Sequence, residues 1–238
     1  MHVSNEDTAP WLDKAMLLLP ECRTFYAESP LDELRAWTPE PPIDFDLKEE
    51  LGAREYKRYR SLILTSMSLD IERFRYANPF WITALMSMKV LGAQGPGMDE
   101  LLWSQAEDLG LTTRGVESAA AHRAIFQQLN PQDQVTLLRK SASNLTKFRK
   151  LHRTISHLYK LGDLHALYRH SYKSLGKQRD LMIRHRNPVM LDKIMMIMVD
   201  DQPALISVGV AHLGGYHGVL RSLVSRGVRC EPILQSTH

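Results

Sequence analysis

Apolar residues along this chain alternate between two spacings, and the changes of spacing outline its elements. After Pro10, which suits a first helical position, Trp11 to Leu19 keeps its apolar residues on one helical face. Cys22 to Glu28 then reads as a strand with a core of Thr24, Phe25 and Tyr26, ending in a carboxylate. A Pro-rich loop from Thr38 to Asp44 leads into a helical middle. There Lys48 to Phe74 predicts one or two amphipathic helices and Asn78 to Leu91 another. Met98 to Leu109 predicts a helix closed by Gly110, Leu111 to Glu117 a short strand, and Ser118 the start of a further helix. Pro131 to Asp201 is almost wholly helical, broken at Leu161-Gly162-Asp163 and at Asn187-Pro188. Pro203 to Val210 predicts a strand whose end presents His212 at a Gly-rich turn. Gly215 to Gly227 predicts a helix that includes His217. Val228 to Leu234 predicts a last strand, parallel to the one before it.

Strand and helix alternate at both ends, with helices between. The expected fold is therefore α/β, a mixed but largely parallel sheet formed by the N- and C-terminal parts and flanked by helices. One domain, residues 1–238, would carry a large helical insertion at about 46–110 and a helical block at about 130–200.

Composition narrows the class. An apolar fraction of 44% is enough for a core. The densest apolar run, Ile194 to Val199, is far shorter than the roughly 18 residues that span a bilayer. The polar opening residues form no signal peptide. Cys22 and Cys230 read as two small buried thiols in separate strand-like segments. Gly92 to Gly97 is a loop without the Gly-Lys-Ser/Thr ending of a phosphate cradle, and no dinucleotide fingerprint or serine elbow is present. Nucleotide cofactors are therefore not expected.

The net charge of +3 conceals a strong asymmetry. Thirteen Lys/Arg face two acids, Asp163 and Asp180, between Arg139 and Arg186. Such a block is either a solvated helical face or a surface for an anionic partner. No nucleic-acid motif or stacking-aromatic pattern accompanies it, so nucleic acid is not expected.

Four side chains share one address. His2, Glu28, Glu117 and His212 each fall at or just past the end of an expected strand, the edge where open α/β sheets bind ligands. Two imidazoles and two carboxylates suit Zn²⁺, Mn²⁺, Co²⁺ or Fe²⁺ with a position left for water. The plain alternative for each glutamate is a carboxylate complementing a helix dipole. Arg186 and Asn187 form a further pair. Arg186 suits a developing oxyanion, whereas Asn187 reads as the cap of a helix starting at Pro188.

These residues resemble the TraB/GumN family, which includes the TIKI proteins. The likeness is carried by RNPVMLDKIMMIM and ALISVGVAHLGGYHGVLRSLVSRGVRCEPI, with Gly209-x-x-His212 at its centre. MDELLWSQAEDLGLTTRGVES, YKLGDLHAL and RTFYAE extend it along nearly the whole chain. The resemblance implies a TIKI/erythromycin-esterase-like core and a metal-dependent hydrolase, a peptidase acting on a peptide or protein. Its ion would be Mn, Co or Zn, with His2, His212, Glu28 and Glu117 as metal residues and Glu28, Glu117, Arg186 and Asn187 as catalytic ones. An esterase on the same scaffold and a non-catalytic protein that binds an anionic partner through Arg139 to Arg186 are the alternatives. The family's first Gly-x-x-His would begin before Met1, which predicts that Met1 is an internal methionine. As written the chain reads as cytoplasmic; an upstream signal peptide would make it exported.

Overall fold

The computed structural model describes residues 5–35, 37, 41–93, 95–200 and 203–233. His2, residues 38–40 of the Pro-rich loop and Leu234 of the expected last strand lie outside them.

The chain opens with α1 (Ala9–Leu18), with Pro10 in its first turn, followed by β1 (Thr24–Ala27). Helices α2 (Leu31–Arg35), α3 (Leu47–Leu51), α4 (Ala53–Met67), α5 (Phe80–Leu91) and α6 (Met98–Asp108) precede β2 (Thr112–Gly115). Next come α7 (Ala119–Gln127), α8 (Pro131–Ser143), α9 (Leu145–Leu161), α10 (Leu164–Ser174) and α11 (Arg186–Asp200). The chain then forms β3 (Ala204–Ile206), the single-turn α12 (Val210–Leu213) and α13 (Val219–Ser225).

The three strands form a parallel sheet of order β2-β1-β3, with Thr24 level with both Thr112 and Ala204. Central β1 is buried at every position because helices cover both faces. Alternation of side chains along the strand divides the packing. Phe25 and Ala27 meet Leu12 of α1 and Leu102, Trp103 and Ala106 of α6. Tyr26, on the opposite face, meets Met190, Leu191 and Ile194 of α11 and Val219 and Leu223 of α13. Helices α3, α4, α5 and α8 build a second core, in which Tyr59 and Ile63 of α4, Ile82 and Met86 of α5, and Leu138 of α8 pack together.

The fold is α/β as expected, and the sheet is wholly parallel. Its C-terminal part departs from the sequence expectation. β3 ends at Ile206, and His212 lies within α12 rather than at the strand's end. His217 sits in the turn before α13, outside any helix. Residues 228–233 form no strand, so the expected parallel partner is missing there; Val228 instead packs against the α11/α13 core. Cys230 is exposed and Cys22 only half-buried, and both are free thiols. Among the described residues no helix is long and apolar enough to cross a membrane.

His152 of α9 gives the fold a pH dependence. Its ring packs on Phe148 with centroids 4.3 Å apart and shares a 3.2 Å hydrogen bond with Ser87. Burial pulls its pKa down from 6.5 to about 4. Between those values the unfolded chain takes up a proton that the folded chain refuses, so stability is full above pH 6.5 and declines as pH falls. Acidification to pH 5 should cost about 2 kcal/mol at this position. Urea titrations of the native protein and His152→Gln would measure it: the loss should be smaller in the variant, and an equal loss in both would contradict the assignment.

Candidate functional site

Glu28 is the residue after β1, and Glu117 lies two residues beyond β2. Main-chain pairing continues past the strands to bring them together. Val116 N–H donates to Ala27 O at 2.8 Å, and Glu117 N–H donates to Glu28 O at 3.1 Å. Gly115 permits this approach, since a Cβ there would lie 2.4 Å from Pro30 Cδ. Both carboxylates therefore reach the C-terminal edge of the sheet, where the chain order turns back on either side of β1.

Arg186, the first residue of α11, lies across both carboxylates. Its Nε donates to Glu117 Oε2 at 3.0 Å and its Nη2 to Glu117 Oε1 at 2.5 Å, a bidentate pair. The same Nη2 donates to Glu28 Oε1 at 2.5 Å, while Gly209 N–H donates to Glu28 Oε2 at 2.9 Å. The Arg186 and Glu117 side chains are each only 5% exposed, so these contacts are largely withdrawn from water. Burial by itself would raise the Glu117 pKa, but hydrogen bonds from His122 and Arg186 outweigh it and hold the carboxyl below its usual range. Burial pulls Arg186 down, the two carboxylates push it up, and the net shift is upward, so it stays charged.

His212 comes to the same place from α12. Its Nδ1 lies 2.6 Å from Asn187 Oδ1, while Asn187 Nδ2 donates to the carbonyls of His212 (3.2 Å) and His217 (2.6 Å). Those two carbonyls fix which end of the amide is oxygen, and that oxygen requires a proton on Nδ1. In the neutral ring Nε2 then carries the lone pair. It accepts from Arg186 Nη1 at 3.3 Å and lies 3.7 Å from Glu28 Oε1.

Asn187 thus differs from expectation. It is buried inside α11 and holds His212, rather than capping a helix that begins at Pro188. Pro188 falls in the first turn, where its missing N–H costs no helical hydrogen bond. A π-helical turn, Asp180–Arg184, directs the chain into that helix. The close approach allowed by Gly214 and Gly215 is used by the ring of Tyr168, which would lie within 3 Å of a Cβ at either position. The His217 ring turns away, its Nε2 accepting from Arg184.

Two contributors were not anticipated from the sequence. His122 Nδ1 lies 2.7 Å from Glu117 Oε1 and 2.7 Å from Ser29 Oγ, which itself donates to Glu117 Oε1 at 2.9 Å. The signal was Ser118, whose side chain caps α7. A histidine four residues beyond a cap leans back over the helix start, where Glu117 lies. Glu28, Glu117 and His122 each place one ligand atom within 4.8 Å of the others. Two carboxylates with imidazole nitrogen are a donor set for first-row divalent ions. His2 is outside the described residues, so its expected place beside His212 has no structural counterpart here.

No curated protein and no solved structure matches the chain. The sequence model of the TraB/PrgY/gumN family matches residues 1–232, a span that includes every residue of this cluster. The chain belongs to the TraB/PrgY/gumN family.

Proposed function

We propose that the protein is a metal-dependent hydrolase whose reaction centre is the cluster at the C-terminal edge of the sheet. The observation that carries this reading is the fixed tautomer of His212. Asn187 Oδ1 accepts a hydrogen bond from Nδ1–H, and Nε2 faces Glu28 and Arg186, the arrangement by which metal-bound histidines are usually oriented. The donor set fits a divalent transition ion, and Arg186 offsets one of the two carboxylate charges. His212 and Glu117 would hold the ion, with His122 beside them. His2, which the family resemblance adds, completes the expected ligands. Bound there, Mn, Co or Zn would acidify a water molecule and polarise the scissile carbonyl.

The remaining residues divide the other tasks. Glu117 is a weak proton acceptor, because burial is outweighed by the hydrogen bonds that hold its pKa down. Glu28 is the more exposed carboxylate, at 12% against 5%, and takes the proton of the attacking water. Arg186 stays cationic and faces the charge that develops on the carbonyl oxygen. Asn187, Ser29 and His122 position these groups. The peptide bond as substrate rests on the family resemblance, and esters are the alternative class.

Chelator-stripped protein tested on a peptide library and an ester panel, with Mn²⁺, Co²⁺ or Zn²⁺ restored singly, tests the proposal. Hydrolysis that returns with at least one ion supports it, and the responding panel identifies the bond. Turnover undiminished by chelation would sink it.

A further inference from the structure

An open concavity lies away from this cluster, on α9. That helix turns Phe148 and Ile155 into the core. A different stripe, running from Thr146 through Arg149, Lys150, Arg153 and Thr154 to His157, lines an open groove of about 580 Å³. A second cleft, of about 410 Å³, lies where the ends of α4 and α5 meet α9, and Lys89, Ser66 and Ser68 line it. Arg149 and Arg153 line both, so the two clefts adjoin. Together the walls hold four Lys/Arg cations and no carboxylate.

Several cations elsewhere on the protein are neutralised by carboxylates. Arg60, Arg75, Arg139 and Arg226 are each engaged by an aspartate or glutamate. Lys89, Lys150 and Arg153 have no ion-pair partner among the described residues. Arg149 donates to Ser66 O at 2.9 Å, which fixes one guanidinium in the wall. On α9, Arg149 and Lys150 lie four and three residues before Arg153, so these like charges repel one another along one helical face. An anion in the groove would relieve that repulsion, and the wall hydroxyls of Thr146, Thr154, Ser66 and Ser68 would donate to its oxygens.

We infer that this groove is a binding site for a ligand carrying two or more linked phosphoryl groups. From Thr146 to His157 the stripe extends about 16 Å at the helical rise per residue, too long for a single phosphate to use. Guanidinium forks and ammonium groups are the usual partners of phosphoryl oxygens. No Phe, Tyr or Trp side chain lines either cleft, so nucleobases lack the broad aromatic platform on which they usually stack.

Calorimetric titration of the whole chain with sodium tripolyphosphate and with orthophosphate tests this. Tripolyphosphate should bind at least about tenfold more tightly, because several charge-assisted contacts replace one. The double variant Lys150→Ala/Arg153→Ala should weaken tripolyphosphate binding by about tenfold or more. Lys57→Ala, an exposed cation elsewhere on α4, should leave it unchanged. Circular dichroism would verify that the variants fold. No binding at millimolar tripolyphosphate, or equal binding by the double variant, would overturn the inference. So would tighter, variant-sensitive binding to a single-stranded oligonucleotide or to phosphatidylglycerol vesicles.

Discussion

Arg186→Met should lower stability by about 3–5 kcal/mol, a large part of what a domain of this size holds in reserve. The methionine fills much of the same volume, so the loss would be electrostatic. Without the guanidinium, Glu28 and Glu117 would lie side by side with side chains only 12% and 5% exposed. Two such carboxylates cannot both ionise cheaply, and at least one pKa must rise. The sign follows from that rise. A carboxyl whose folded pKa exceeds its unfolded value contributes stability below the unfolded value and loses it as pH rises. Because His152 costs both proteins stability as pH falls, the effect is read as a difference: the gap between Arg186→Met and the native protein should narrow between about pH 7.5 and pH 5.5. Arg186→Lys, which keeps the charge but not the fork, should fall between the two. Denaturation at the two pH values would show this. A methionine variant within about 1 kcal/mol of native at neutral pH would mean that the carboxylates are better solvated than the structure indicates.

His212→Ala and Glu28→Gln should each reduce kcat/KM by at least about a hundredfold, for different reasons. The alanine removes a nitrogen donor, so its loss should be accompanied by weaker metal affinity. The glutamine preserves shape but cannot take a proton, so it should lower kcat while metal content changes less. Asn187→Ala separates positioning from chemistry. It frees the His212 ring and leaves Nδ1 without its oxygen partner, and an outer-shell loss of this kind costs about 10- to 100-fold in metal affinity or activity. Added metal should partly restore Asn187→Ala and should not restore Glu28→Gln. Near-native activity in either His212→Ala or Glu28→Gln would remove that residue from the reaction.

The sequence was most legible where local pattern and tertiary packing agree. Phe25 and Tyr26 divide between the two faces of β1 as strand alternation requires, and Glu28 and Glu117 follow their strands as expected. Gly110 closes the turn after α6 with a positive φ of 73°. The C-terminal part was less legible because its apolar residues do not reveal a pairing partner. Val228 is apolar whether it enters a sheet or, as here, packs against helices. β3 gives way because Ser207 makes one more main-chain bond to Tyr26 O, after which the Glu28 side chain takes the Gly209 N–H. A contact between residues 181 positions apart is not encoded in local spacing. The same holds for Asn187. The bias imposed by Pro188 is local, but the contacts of Asn187 with His212 and His217 are made only in the folded chain. His122 was the legible residue that was missed, one turn inside a helix whose start at Ser118 the sequence does mark.

The central claim is that His212 Nε2 belongs to a metal centre at this edge of the sheet. Pulsed electron paramagnetic resonance on Mn²⁺-loaded protein measures it most directly, through the hyperfine coupling between the ion and a bound imidazole nitrogen. The account predicts nitrogen coupling in the native protein that is reduced in His212→Ala, which removes one imidazole nitrogen. A spectrum unchanged by that substitution, or Mn²⁺ bound without any nitrogen coupling, would contradict it.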